Sequence, residues 1–325
     1  MTHYNQALAH RLSLHNLAEC EHFPKYFEIE TVNACNARCI MCTINDWDKK
    51  QNSIMPMPLF ERYVEEVSHY ADWIECICLN RDGEPTLDKQ LPLRVKMLKQ
   101  AGIKKVTFVT NAQLLGEKMV LQLLEAGLDD IMISIDGVTK ATFEKIRVRL
   151  QFEVVVNNTL RLIALRNTQQ HPLNIRVRMV VMDDNRHELD AFLAFWKNQL
   201  KATDDIYARD MHSWGNQFTP ENQTKIDFMA DKPCISPFST LVMHVDGTVP
   251  LCGADYNAKI PLGDFSKTSL KAIWNSQAYQ TIRQSHAEQR RNDIWMCRGC
   301  DIWERETQGR KSETAADKKL NSSRQ

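Results

Sequence analysis

Cys35-Asn-Ala-Arg-Cys39-Ile-Met-Cys42 gathers three thiols into one C-x3-C-x2-C run. A structural zinc site would be closed by a fourth nitrogen or sulfur ligand, and no histidine lies between His22 and His69 to supply one locally. A [4Fe–4S] cluster held by three cysteines instead leaves one iron open to an outside ligand. A second set, Cys234, Cys252, Cys297 and Cys300, is spaced C-x12-G-x4-C and then, after 44 intervening residues, C-x2-C. Four thiolates close a tetrahedral site, so spacing alone leaves a structural zinc and a fully ligated auxiliary [4Fe–4S] cluster both open. Cys76 and Cys78 alternate with Ile77 and Leu79, and Cys20 stands alone; all three read as small buried hydrophobes.

Positioning these groups requires a scaffold, and the hydrophobic pattern suggests one. Short β-branched or apolar runs recur at 27–32 (FEIETV), 75–80 (ECICLN), 105–110 (KVTFVT), 130–135 (DIMISI), 175–181 (IRVRMVV) and 205–210 (DIYARD). Between them lie stretches with helical spacing: Phe60, Val64 and Val67; Leu91, Val95 and Leu98; Met119, Leu123 and Leu124; Leu160, Leu162 and Ile163; Leu189, Phe192, Leu193 and Trp196. Strand alternating with helix implies parallel βαβ units, and six of them predict an open (β/α)6 barrel over about 25 to 210. The first cysteine run then falls in the loop after the first strand, at the end where α/β barrels carry their chemistry. After His212-Ser213-Trp214-Gly215-Asn216 the rhythm changes, and a polar stretch with two prolines (217–233) reads as a connection. A small second unit follows, with a hairpin of Phe238 to Val245 and Thr248 to Leu251 about Asp246-Gly247, and a helix near 269–283.

Composition bounds the partners. Hydrophobic residues are 43% and charged residues 25%, with Lys+Arg 41 balancing Asp+Glu 41, the profile of a globular protein without a polyanion-binding excess. No stripe of basic residues interleaved with aromatics points to nucleic acid, and no apolar run approaches the ~20 residues of a membrane span. The N-terminus carries His, Asn and Arg where a signal peptide needs an apolar core, so a cytoplasmic location is expected. In a reducing compartment the ten cysteines read as metal ligands or buried apolar residues rather than disulfides.

The cysteine run in that position resembles the radical S-adenosylmethionine (SAM) superfamily, and the resemblance extends from about Phe27 to Trp303. It implies an α/β fold with a partial (β/α)6 barrel (25–216) after an N-terminal extension (1–24) and a small α+β unit of SPASM or twitch type (217–303), while the tail (304–325), with no apolar residue larger than one leucine, is expected to be disordered. It also implies that the iron left open by Cys35, Cys39 and Cys42 binds the amino and carboxylate groups of SAM, and that an electron from the cluster cleaves SAM to methionine and a hydrogen-abstracting 5′-deoxyadenosyl radical. Asp82-Gly83-Glu84-Pro85 matches the Gly-Gly-Glu-Pro motif that holds the SAM ammonium, with Asp82 replacing the first glycine. Ser134-Ile-Asp136-Gly137 resembles the ribose-binding segment, and Arg147 stands where relatives place an arginine on the SAM carboxylate. Met41 takes the position of an aromatic ring beside adenine.

The four later cysteines resemble the start of a SPASM domain that stops in the shorter twitch form, which holds one auxiliary [4Fe–4S] cluster; the nearest pattern is that of the 2-deoxy-scyllo-inosamine dehydrogenases. Such a cluster would accept an electron from a substrate radical, so the expected reaction is a two-electron oxidation of a sugar, aminosugar, cyclitol or nucleotide sugar, with flavodoxin or ferredoxin as electron donor. Asp210 and His212, after the sixth strand, are the candidate proton acceptors. Peptide maturation and redox-neutral epimerisation are the alternatives. Only about 25 residues precede the first strand, which favours a small molecule over a peptide, and Cys76 and Cys78 are the barrel thiols an epimerase would use.

Overall fold

The computed structural model describes residues 17–48, 53–215, 217 and 233–300. The N-terminal extension up to residue 16, the connection over 218–232 and the tail fall outside the described residues. All six expected strands form: β1 (Tyr26–Ile29), β2 (Cys76–Cys78), β3 (Val106–Thr110), β4 (Asp130–Ser134), β5 (Asn174–Val181) and β6 (Asp205–Asp210). They lie side by side in chain order and run parallel. The crossovers carry α1 (Met57–Ser68), α2 (Leu91–Gln100), α3 (Glu117–Glu125), a pair α4 (Lys140–Ile146) and α5 (Phe152–Thr168), and α6 (Leu189–Lys197).

Strand parity divides the sheet into a helix-covered face and a lumen. Phe27, Ile29, Ile77, Phe108, Ile131, Ile175, Val177 and Met179 are each no more than 1% exposed and pack under the helices. Residues of the opposite parity meet one another across the lumen: Thr107 Oγ1 donates to Asp130 at 2.9 Å, Arg178 reaches Ser134 at 3.1 Å, and Tyr207 Oη lies 2.7 Å from Met132 Sδ. Glycines in the left-handed region end two of the helices, Gly102 (φ +85°) after α2 and Gly127 (φ +82°) after α3, where other residues would be strained.

The expected hairpin is replaced by a different pairing. The turn at Asp246-Gly247 forms, with Gly247 at φ +93° and His244 N–H bonded to Thr248 O at 2.8 Å. Yet β7 (Thr240–Met243) adds in parallel to the open edge of β1 as a seventh strand of the barrel sheet. β8 (Thr248–Pro250) pairs antiparallel with β9 (Pro261–Asp264). The physical reason is the edge: without β7, β1 would present unpaired backbone groups where the first cysteine loop begins. The predicted single helix near 269–283 is two, α8 (Leu270–Trp274) and α9 (Gln277–Ala287), because Ser276 Oγ caps α9 by accepting Tyr279 N–H at 3.4 Å. A short α7 (Ser236–Ser239) precedes β7. Among the described residues no helix is long and apolar enough to cross a membrane.

Candidate active site and cluster centres

The loop carrying Cys35, Cys39 and Cys42 leaves the C-terminal end of β1 and is tied down by its own polar groups. Arg38 Nη1 donates to Cys35 O (3.0 Å) and Ala37 O (2.7 Å), and Cys42 N–H donates to Cys39 O at 3.1 Å. Cys35 and Cys39 each have neighbours that favour negative charge on sulfur. Ala37 N–H points at Cys35 Sγ (3.4 Å), Asn111 Nδ2 approaches the same sulfur (4.0 Å), and Arg147 Nη1 donates to Cys39 Sγ (3.7 Å). All three are free thiols. Burial, followed by the Glu84 carboxylate, pushes Cys35 up to about 12. Burial and then Cys39 push Cys42 to about 11, and burial raises Cys39 as well. Such thiols stay protonated alone and become thiolates by ligating a metal. Among the described residues no group of three His, Cys, Asp or Glu is arranged to hold a single metal ion. The fit to a cluster therefore rests on the donor set and on the mutual electrostatics of these sulfurs.

The SAM-motif residues surround this loop. Gly83 is sterically required: a Cβ there would collide with the carbonyl oxygens of Val32 and Ala34, the latter at 2.7 Å. That close approach lets Glu84 N–H bond Ala34 O at 2.8 Å. The Glu84 carboxylate is buried and accepts from Thr86 N–H and Oγ1, Thr110 Oγ1 and Asn111 N–H. Burial raises its pKa against those four donors. Asp82, standing for a glycine, tucks in a side chain only 1% exposed, 3.9 Å from Arg81 Nε and 4.0 Å from His244 Nε2. Asp136 is fully buried, with one oxygen accepting Arg147 Nε (2.5 Å) and the other Val180 N–H (2.7 Å). Arg147 is thereby fixed between Asp136 and Cys39, while Ser134 lies in the lumen against Arg178. Met41 is buried beside the third cysteine.

The four later thiols come from distant segments. Cys234 precedes α7, Cys252 follows β8, and Cys297 and Cys300 follow α9. Main-chain contacts hold them: His286 Nδ1 accepts Cys234 N–H (3.0 Å), and Arg291 Nη2 donates to Cys297 O (3.0 Å) and Cys300 O (2.9 Å). Burial is the first cause raising Cys252 and Cys297. For Cys252 the next causes are Cys234 and Cys300; for Cys297 they are Cys252, Cys234 and Cys300. Cys297 thus feels the other three thiols, and Cys252 feels Cys234 and Cys300.

Two residues join the thiol sets. Trp214 Nε1 donates to Met41 O at 3.2 Å, and the Arg81 guanidinium lies 5.5 Å from the centre of the Trp214 ring while donating to Gly253 O, next to Cys252. Arg81 Nε also faces Glu28 Oε2 at 3.5 Å on the lumen side of β1. Sequence reasoning passed over Glu28 and Arg81. The signal was present in FEIETV, where Phe27 and Ile29 claim the apolar face and parity turns Glu28 inward. The expected pair Asp210 and His212 separates. Asp210 has a side chain 55% exposed and ion-paired with Arg186 at 2.9 Å, because parity on β6 turns Tyr207 and Arg209 inward and Asp210 outward. His212 is buried, accepts Trp214 N–H at Nδ1 (3.1 Å), and packs its ring 4.7 Å from that indole. A neutral imidazole accepting at Nδ1 carries its proton on Nε2.

Residues 29–195 match the Radical SAM superfamily, and residues 234–301 match an iron–sulfur cluster-binding domain of SPASM type. GTP 3′,8-cyclase of Vibrio parahaemolyticus is 29% identical over 179 residues, 54% of this chain and 51% of that protein. The tungsten-containing aldehyde ferredoxin oxidoreductase cofactor-modifying protein of Pyrococcus furiosus is 25% identical over 54% of this chain and 48% of its own. The chain thus spans about half the length of these curated relatives. Among solved structures, BtrN in complex with AdoMet and 2-DOIA superposes with TM-score 0.58 at 19% identity, covering 86% of this chain and 93% of BtrN. Streptococcus suis SuiB bound to precursor peptide SuiA gives 0.63 at 14% identity, covering 81% of this chain and 67% of SuiB. At these identities the likeness is one of fold. The matched regions carry with them SAM, a [4Fe–4S] cluster and auxiliary iron–sulfur binding, and the chain belongs to the radical SAM superfamily as an enzyme with a SPASM-type domain behind its barrel.

Proposed function

We propose that the enzyme oxidises a C–H carbon of a small polar molecule, a sugar, aminosugar, cyclitol or nucleotide sugar, from alcohol to ketone. When bound, the three-cysteine cluster supplies the electron that splits SAM into methionine and the 5′-deoxyadenosyl radical, which takes a hydrogen atom from the substrate carbon. Cys35, Cys39 and Cys42 would ligate that cluster, and Cys234, Cys252, Cys297 and Cys300 an auxiliary one. Gly83 and Glu84 would receive the SAM ammonium, Ser134 its ribose and Arg147 its carboxylate. Asp136 acts through Arg147, holding the guanidinium in place, and Met41 fills the space beside adenine.

The observation that carries the reading is the contact of Glu28 with Arg81 and the Cys252–Gly253 turn: a Cβ on Gly253 would stand 2.7 Å from Glu28 Oε2. A lumen carboxylate therefore lies against the four-thiol unit. After hydrogen-atom loss the substrate must shed one proton and one electron. Glu28 takes the hydroxyl proton, Arg81 counters its charge, and the auxiliary cluster that Cys252 would help hold would supply the acceptor for the electron. The net loss from substrate is two electrons and two hydrogens, and the electron spent on SAM comes from a flavodoxin or ferredoxin. The likeness in fold to BtrN, solved with 2-DOIA, supports an aminocyclitol-sized substrate.

Iron content of the anaerobically reconstituted protein tests this, beside a Cys35/Cys39/Cys42 triple alanine variant. About eight irons falling to about four are expected, together with loss of 5′-deoxyadenosine. About four irons plus one zinc in the wild type would overturn the oxidative reading. Glu28→Gln should keep 5′-deoxyadenosine formation and lose the ketone.

Cys78 favours a second reading. It faces the lumen, donates to Asn80 Oδ1 at 3.4 Å, and is kept a protonated thiol by burial and then by Glu28. Such a thiol is a hydrogen-atom donor, which a redox-neutral epimerase needs. Cys78→Ala abolishes product formation in that case and spares it in an oxidase.

A further inference from the structure

We infer that the substrate carries an oxyanion, a phosphate ester or a carboxylate, received in the lumen by Arg178 with Arg209 beside it. The inference rests on the reading that substrate enters the barrel and deepens it by naming the charge the lumen is built to accept. Arg178 lies on β5 between Val177 and Met179, both fully buried on the helix side, so its side chain faces the lumen and reaches Ser134.

Five other guanidiniums of the barrel face carboxylates. Arg81 faces Glu28, Arg94 pairs with Asp88, Arg147 with Asp136, Arg166 with Asp204 and Arg176 with Asp130. Arg178 breaks that pattern. Its Nη2 donates to the neutral Ser134 hydroxyl at 3.1 Å, its Nε is buried without a hydrogen-bond partner, and no carboxylate among the described residues pairs with it. A half-buried guanidinium with an orphaned donor costs stability unless something completes it. Its planar fork suits a carboxylate or phosphate held through two oxygens.

Arg209 extends the site toward the mouth. In the β5–β6 register Arg178 is opposite Tyr207, and Arg209 lies two residues further on, on the lumen-facing side of β6. Ser134 belongs to the segment assigned to SAM. An anion fixed at Arg178 would therefore hold the rest of the substrate next to the cofactor, with the Glu28 side of the lumen free for the reacting carbon.

Calorimetric titration of the reconstituted holoenzyme with inorganic phosphate, and separately with acetate, in the presence of SAM, tests this. Saturable binding of at least one is expected, weakened about tenfold or more in Arg178→Gln and less in Arg178→Lys, with SAM affinity and iron content unchanged. Arg209→Gln, expected to lose a smaller factor of about threefold, is the second variant should Arg178→Gln not accumulate. Wild-type protein that binds neither anion, or variants that bind as wild type does, would overturn the inference. Loss of SAM affinity in Arg178→Gln with anion binding intact would give the arginine to the cofactor instead. Anion binding by a holoenzyme that forms no ketone would end the oxidative reading and leave the inference standing.

Discussion

The three-thiol loop and the four-thiol unit bury their sulfurs comparably but support them differently. In the first, the helper groups act on sulfur itself: Arg147 on Cys39, and Ala37 N–H and Asn111 on Cys35. In the second, His286 and Arg291 grip the backbone of the ligands, and Ala254 N–H approaches the sulfur of Cys252 at 3.4 Å. A cationic side chain shared between a thiol and the buried Asp136 suits a centre that must engage a charged cofactor at an open position. A frame of main-chain contacts around four thiols suits a closed centre with every ligand position filled by the protein. Arg81 and Trp214 stand where the two arrangements meet.

Breaking the closed centre should have the largest effect. Cys252→Ala is expected to reduce product to background and remove about four irons while 5′-deoxyadenosine continues to form, read by metal analysis and mass spectrometry. Retained product would mean the second centre is structural and the contrast false. Next, Arg147→Met leaves Asp136 buried without its cation. A loss of about 3–5 kcal/mol in unfolding free energy is expected, with SAM binding abolished and the auxiliary iron retained. Equal loss of iron from both centres would instead show that the arginine supports the whole barrel. His286→Leu removes the acceptor of Cys234 N–H and should cost about 1–3 kcal/mol, lowering only the auxiliary iron loading. The smallest effect belongs to Asp210→Asn. An exposed pair with Arg186 predicts a stability change within about 0.5 kcal/mol and unchanged product yield, and any selective loss of product would bring Asp210 back as the proton acceptor.

Much of this was legible without a fold. The cysteine run of the first loop is local, so its three ligands can be read from eight consecutive positions, and the strands were legible because Val, Ile and Phe recur with the period of a buried sheet face. Gly83 is a local signal too, since only a residue without Cβ can bring Glu84 against Ala34 O. The orientation of the candidate proton acceptors was not legible. Asp210 and His212 follow the sixth strand closely, but which of two neighbouring side chains faces the lumen depends on strand parity, and parity turned Asp210 to solvent. Nor was the role of β7, because its pairing partner β1 lies more than two hundred residues earlier in the chain.

By itself, the sequence determined the chemistry of the ligands, the βα rhythm and the two sets of thiols, since each depends on residue type and short spacing. Only the tertiary structure decided that Glu28, Arg81 and Gly253 meet, that Trp214 touches the first cysteine loop, and that Arg178 meets the Ser134 hydroxyl and no carboxylate among the described residues. Those facts arise where separate segments converge, and convergence is settled by which faces are buried and which edges are paired, quantities that no short stretch of sequence carries.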